Sequence, residues 1–207
     1  MCAANTPMQA EAEPTWDIAQ LFPAQGQWDE DEYLALETNH LIEYTHGNLE
    51  VLATPTWPHQ RLVAALFQLL FHFASTHGLG EALPAPLRVQ LWPGKYREPD
   101  IVFMLDEHAE RKGERYWRGA DLVMEVVSPD DRRRDLVTKR REYAQAGIPE
   151  YWIIDPVERR ITVLTLRGEQ YAVHGLFDAG QQATSVLLDG FTVDVTSVFS
   201  RLARDNS

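Results

Sequence analysis

The chain has 207 residues, 44% of them hydrophobic and 24% charged, which is the make-up of one globular domain with a core of its own. Collagen-like, mucin-like and wholly disordered chains are excluded by that composition, and no apolar run reaches the roughly 18 residues of a spanning helix. The net charge of −12 argues against a polyanionic partner only until it is divided along the chain. Residues 1–50 hold ten acids and no Lys or Arg, whereas residues 111–141 hold ten bases against six acids. Acidity and basicity are therefore segregated, and the sum alone decides nothing about partners.

Residues 1–27 are expected to form an acidic N-terminal tail or extension, and residues 28–207 a single domain. The start lacks the basic and apolar regions of a secretory signal, and the single Cys2 fits a reducing cytoplasm. Trp16, Ile18, Leu21 and Phe22 are apolar enough to dock somewhere. Asp29 to Leu36 predicts a short helix with acids in its first turn. Leu41 to Tyr44 and Asn48 to Ala53 flank Thr45-His46-Gly47, a hairpin pattern in which Gly47 supplies positive φ. Trp57-Pro58 opens a long helix, His59 to His77, whose Leu62, Ala65, Leu66, Leu69, Leu70 and Phe73 recur at helical spacing before Gly78.

Strands follow at Leu87 to Trp92, Pro99 to Leu105 and Asp121 to Val127, with a charged, partly helical connection over 106–119. Ser128-Pro129-Asp130-Asp131 is a helix start, and that helix is expected to run to about Ala146 and stop at Gly147. Tyr151 to Ile154, Arg160 to Leu166, Gln170 to His174 and Ser185 to Leu188 read as strands, with a short helix around Ser197 to Leu202. The order implies an α/β fold with a mixed central sheet flanked by helices.

The chemistry lies in acids set inside apolar strands. Asp100 opens Ile101-Val102-Phe103, and Glu125 interrupts Leu122-Val123-Met124 and Val126-Val127. A buried carboxylate is costly unless it is paired or bound to a cation. If the two strands are neighbours, both carboxylates and a main-chain carbonyl reach one point, a hard-oxygen set for Mg²⁺ or Mn²⁺. The bland alternative makes Asp100 a turn residue and pairs Glu125 with an arginine. On the next helix Asp135, Lys139 and Tyr143 share one face. There Lys139 either serves the chemistry or forms a solvated i,i+4 pair with Asp135. Arg132, Arg133, Arg134 and Arg140 are candidate phosphate contacts or a merely soluble face. His59 is a candidate supporting residue, though capping or core packing is the commoner role.

Glu43 near Gly47, Pro99-Asp100, Glu125-Val126-Val127-Ser128-Pro129, Asp135, Lys139, Tyr143 and the run from Ala146 to Asp155 together resemble the Uma-type restriction endonuclease family of the PD-(D/E)xK nuclease superfamily. The resemblance spans about Trp28 to Phe199. It implies a restriction-endonuclease-like core, with Asp100, Glu125 and the Val126 carbonyl as metal ligands and Glu43 as a further catalytic or metal-binding acid. The superfamily lysine would fall at position 127, which is Val127 here, so the resemblance makes Lys139 its displaced counterpart. His46 stands where the family commonly has Asp.

The function implied is Mg²⁺- or Mn²⁺-dependent hydrolysis of DNA phosphodiester bonds, with the arginines on the nucleic-acid backbone and Asp135, Tyr143 and His59 supporting the site. Double-strand cleavage would favour a homodimer. The alternative is a catalytically inactive nuclease fold that binds nucleic acid or a protein partner.

Overall fold

A computed structural model of the chain describes residues 22–38, 40–128 and 132–202. Trp16, Ile18, Leu21 and the helix-start residues Pro129, Asp130 and Asp131 lie outside the described residues, as does most of the expected tail. Its described part packs against the hairpin: Phe22 stacks on Trp28, and Gln25 exchanges hydrogen bonds with the Leu49 backbone at 2.8 and 3.1 Å.

Helix α1 (Glu30–Leu34) starts at a capping box formed by Asp29 and Glu32. Strands β1 (Ile42–Thr45) and β2 (Asn48–Val51) form the hairpin, with positive φ at His46 and Gly47. Helix α2 (Trp57–His77) begins under a Thr56 cap and ends at left-handed Gly78. Leu62, Leu66, Leu70 and Ala74 repeat every fourth residue and are fully buried; each such leucine contributes about 1.5–3 kcal/mol by leaving water.

Six strands make the main sheet, in the order β11 (Gln170–Phe177), β10 (Arg160–Arg167), β9 (Glu150–Asp155), β8 (Leu122–Val126), β6 (Ile101–Leu105) and β3 (Gly80–Pro84). Only β8 and β9 run parallel, so the sheet is mixed. A parallel pair needs a crossover. Here it passes through a π-helical stretch, Arg134–Lys139, and helix α3 (Arg140–Gln145). The regular helix expected over this region is thus interrupted by a wider turn, a form that recurs at functional positions.

A second, five-stranded sheet joins β2, β1, β5 (Lys95–Arg97), β4 (Val89–Trp92) and β7 (Trp117–Arg118). The sequence gives little sign of β3 or β5, one Pro-ended and the other short and cationic. Ser185 to Leu188 is not a strand. The short ladder forms instead between β12 (Gln182–Thr184) and β13 (Thr192–Asp194), followed by α4 (Val195–Ser200). The loop between them wraps the buried Glu150 carboxylate, which accepts from Ser185 Oγ and the Val186 and Leu187 N–H groups at 2.6, 2.6 and 2.9 Å. A carboxylate satisfied by local N–H groups replaces the strand pairing expected there.

The strand alternation sorts β8 between two cores. Leu122, Met124 and Val126 face α2 and α4, while Val123 and Val127 face Tyr143, Ile148 and Tyr151. By the same alternation Glu125 points to the α3 side. The fold thereby aims an ionisable side chain at the crossover that follows its own strand.

Candidate active site

Strand β6 lies beside β8, with Ile101 opposite Met124, so Asp100 and Glu125 enter one neighbourhood from adjacent chain segments. Asp100 Oδ2 accepts the Val126 N–H at 2.8 Å and lies 3.3 Å from His59 Nε2. The first turn of α2 delivers that imidazole, and its Nδ1 is buried without a hydrogen-bond partner among the described residues. Burial pushes the His59 pKa down, but the Asp100 carboxylate, the Glu125 charge and the Val126 backbone outweigh it and raise it overall.

Glu125 Oε2 sits 2.8 Å from Lys139 Nζ, and Oε1 accepts the Tyr143 hydroxyl. Asp135 holds the same ammonium at 3.1 Å and accepts the Ser128 N–H at 3.2 Å. The i,i+4 pair between Asp135 and Lys139 therefore exists, but it is buried, not solvated. Burial raises the Glu125 pKa to about 7, with Asp100 and Asp135 adding to the rise and Lys139 opposing it. Burial lowers the Lys139 pKa, but Glu125, Asp135, Glu43 and Asp100 reverse that and keep its ammonium charged.

These groups line a cavity of about 300 Å³, walled on its other side by residues 51–56. Glu98, Asp100, Glu125 and Asp135 stand there against Arg134 and Lys139, leaving the lining formally two charges negative. Among the described residues, no group of three or more His, Cys, Asp and Glu side chains forms a ready-made metal cage. Mg²⁺ does not need one: it takes one or two protein carboxylates and completes its octahedron with water and substrate oxygens. Two carboxylates on a net-negative cavity that also exposes Val126 fit such a hard cation, and do not fit a soft metal.

Glu43 occupies a different place. It is fully buried, and its carboxylate is shared by Arg97 and Arg134 and accepts the Glu98 N–H at 3.3 Å. Burial alone would raise its pKa, but Arg97, Lys139 and Arg134 together hold it below the usual carboxylate range. Arg97 continues to Glu142 at 2.7 and 2.8 Å, and Glu142 to Lys95 at 2.9 Å. This chain of alternating charges ties β1 and β5 to the helix that carries Tyr143. Arg97, Glu98 and Glu142 are absent from the sequence-based site. The alternation of Lys95 and Arg97 just before Pro99-Asp100 is the one signal that pointed to them.

The basic residues disperse. Arg132 makes a two-pronged pair with Asp155 at 2.6 and 3.0 Å, Arg133 is exposed, and Arg140 donates to the Tyr171 carbonyl at 3.1 Å. Of the four candidate phosphate contacts, Arg134 reaches the cavity wall.

Comparison with known proteins identifies the fold and the family. A solved structure titled a putative nuclease belonging to DUF820, from Anabaena variabilis, superposes with a TM-score of 0.70 at 20% identity, covering 87% of this chain and 100% of that one. The likeness establishes a shared fold. The Uma2 family, described as “Putative restriction endonuclease”, matches residues 30–196, and the chain belongs to it. No curated protein gives a match. Family and fold together place the chain among nuclease-like proteins.

Proposed function

We propose that the chain is a divalent-metal-dependent endonuclease that hydrolyses phosphodiester bonds of DNA. The observation that carries this reading is the meeting of Asp100, Glu125 and Lys139 on one cavity, although three different elements deliver them. Asp100 and Glu125, with the Val126 carbonyl, would hold Mg²⁺ or Mn²⁺. A bound cation of this kind polarises a phosphodiester and lowers the pKa of an attacking water.

The remaining chemistry belongs to the protein. Lys139 favours the ionised form of Glu125 against burial and presents a positive charge where the phosphoryl oxygens become more negative. Asp135 fixes the ammonium, and Tyr143 fixes the other oxygen of Glu125, so the carboxylate has one orientation. His59 holds Asp100 from the opposite side. Glu43 serves by gathering Arg97 and Arg134, and so sets where the crossover sits.

The test is cleavage of supercoiled and linear DNA by the purified protein with Mg²⁺ or Mn²⁺, beside Asp100→Ala and Glu125→Ala. Metal-dependent cutting lost in both variants is expected. Binding of DNA without cutting by the wild type would favour the alternative, a nuclease fold used only for binding. Equal cutting by Asp100→Ala would overturn the site assignment.

A further inference from the structure

Glu43 and Glu50 are direct cross-strand partners in the β1–β2 hairpin. Two like charges facing each other across a ladder repel. Here Arg97 and Arg134 lie between them: each touches both carboxylates. The two glutamates are not equivalent, however. The Glu43 side chain is fully buried, whereas that of Glu50 is 53% exposed. Arg134, in turn, lines the cavity that holds Asp100, Glu125 and Lys139.

We infer that Glu50 fills a phosphate subsite on Arg134, one that a backbone phosphate of the bound nucleic acid takes over. The inference rests on the endonuclease reading and deepens it by locating a contact for a phosphate beside the scissile one. An arginine fork binds carboxylate and phosphate with the same donors. The pair is open to solvent on the Glu50 side, and an ion pair that water reaches contributes little, so exchanging Glu50 for phosphate costs little. Glu43 remains in place through the exchange and keeps the arginine aimed, because it is buried and also bound to Arg97. Glu50 thereby sets affinity: the protein disfavours any anion too weak to displace it.

The test is a double-mutant cycle on binding of a fluorescein-labelled DNA duplex in EDTA, read by anisotropy, so that no cleavage step enters. Glu50→Gln is expected to bind about two- to five-fold more tightly than wild type, the range that loss of an exposed competing pair allows. In an Arg134→Met background the same change should have no effect. If Arg134→Met does not fold, Arg134→Lys replaces it, since an ammonium cannot hold two carboxylates in fork geometry, and the gain should shrink there. Unchanged or weaker binding by Glu50→Gln overturns the inference. An equal gain in both backgrounds overturns it too, because it would show only relief of general negative charge. Failure of metal-dependent cleavage, measured separately, would count against the endonuclease reading and leave this cycle interpretable.

Discussion

Lys139 and Glu125 meet at 2.8 Å inside the protein, the ammonium held on its other side by Asp135. The pair connects a strand to the crossover that leaves it, so it is both part of the site and part of the fold. Removing Lys139 leaves Glu125 and Asp135 buried without their shared cation, whereas removing Glu125 leaves the ammonium paired with Asp135 alone.

Lys139→Met should therefore act twice. Stability should fall by about 3–5 kcal/mol, the usual cost of breaking a buried pair from one side. Cleavage should fall on the order of 10²–10⁴-fold, the range for loss of a positioned catalytic group. Urea unfolding and a single-turnover cleavage assay read the two effects separately. A variant that is less stable but equally active would make Lys139 structural.

Asp100→Asn should separate metal binding from folding. An amide oxygen still accepts the Val126 N–H, so stability should stay within about 1.5 kcal/mol of wild type. Calorimetric binding of Mn²⁺ should be lost, since a neutral ligand does not replace a carboxylate for a hard cation. Full retention of Mn²⁺ binding would move the metal site elsewhere.

The cross-strand glutamates should respond very differently to the same substitution. Glu43→Gln leaves Arg97 and Arg134 without their shared buried anion and should cost roughly 3–5 kcal/mol. Glu50→Gln, at an exposed position, should cost no more than about 1 kcal/mol. Thermal unfolding of the two variants side by side checks this contrast, and equal losses would contradict the burial asymmetry of the hairpin.

Stability should also depend on pH in a set direction. Burial, first of all, raises Glu125 and Glu98 to about 7 from an ordinary value of 4.5. Between these values the folded state holds protons that the unfolded state has released, so the contribution of both groups falls as pH rises from about 4.5 to about 7. Glu43, held low, works the opposite way: its contribution is present above the ordinary carboxylate range and is lost as pH falls through its depressed value. Denaturant midpoints measured across this range should decline toward neutral pH, and Glu125→Gln should flatten the decline. A midpoint that rises through the window would contradict these directions.

Much of the architecture was legible because it rests on local rules. The spacing of Leu62, Leu66 and Leu70, the turn at His46-Gly47 and the capping logic around Gly78 and Gly147 each point to the element that forms. Asp100 and Glu125 stood out because charged residues in apolar strands need a reason, and Lys139 through its helical spacing from Asp135 and the family resemblance. What the sequence hid was long-range. Arg97 and Arg134 are far apart in the chain, and nothing local says that Glu43 gathers them. Ser185 to Leu188 is apolar enough to read as a strand, yet its Val186 and Leu187 N–H groups answer to Glu150, a partner chosen by tertiary packing. The π-helical turn was equally hidden, since Arg134 to Lys139 reads as ordinary helix.

Val127 occupies the position that a linear motif would reserve for lysine, and it is buried against Tyr143 and Tyr151 on the same side of β8 as Glu125. On the proposed reading, the electrostatic requirement of the site belongs to a point in space, met by Lys139 from the helix where the strand offers Val127. Such a site can migrate in evolution: once a cation arrives from the helix, the strand position is free to become apolar and strengthen the core. A pattern search demanding acid, any residue, lysine finds valine two positions after Glu125, whereas a search for a cation within reach of that acid finds Lys139 at 2.8 Å.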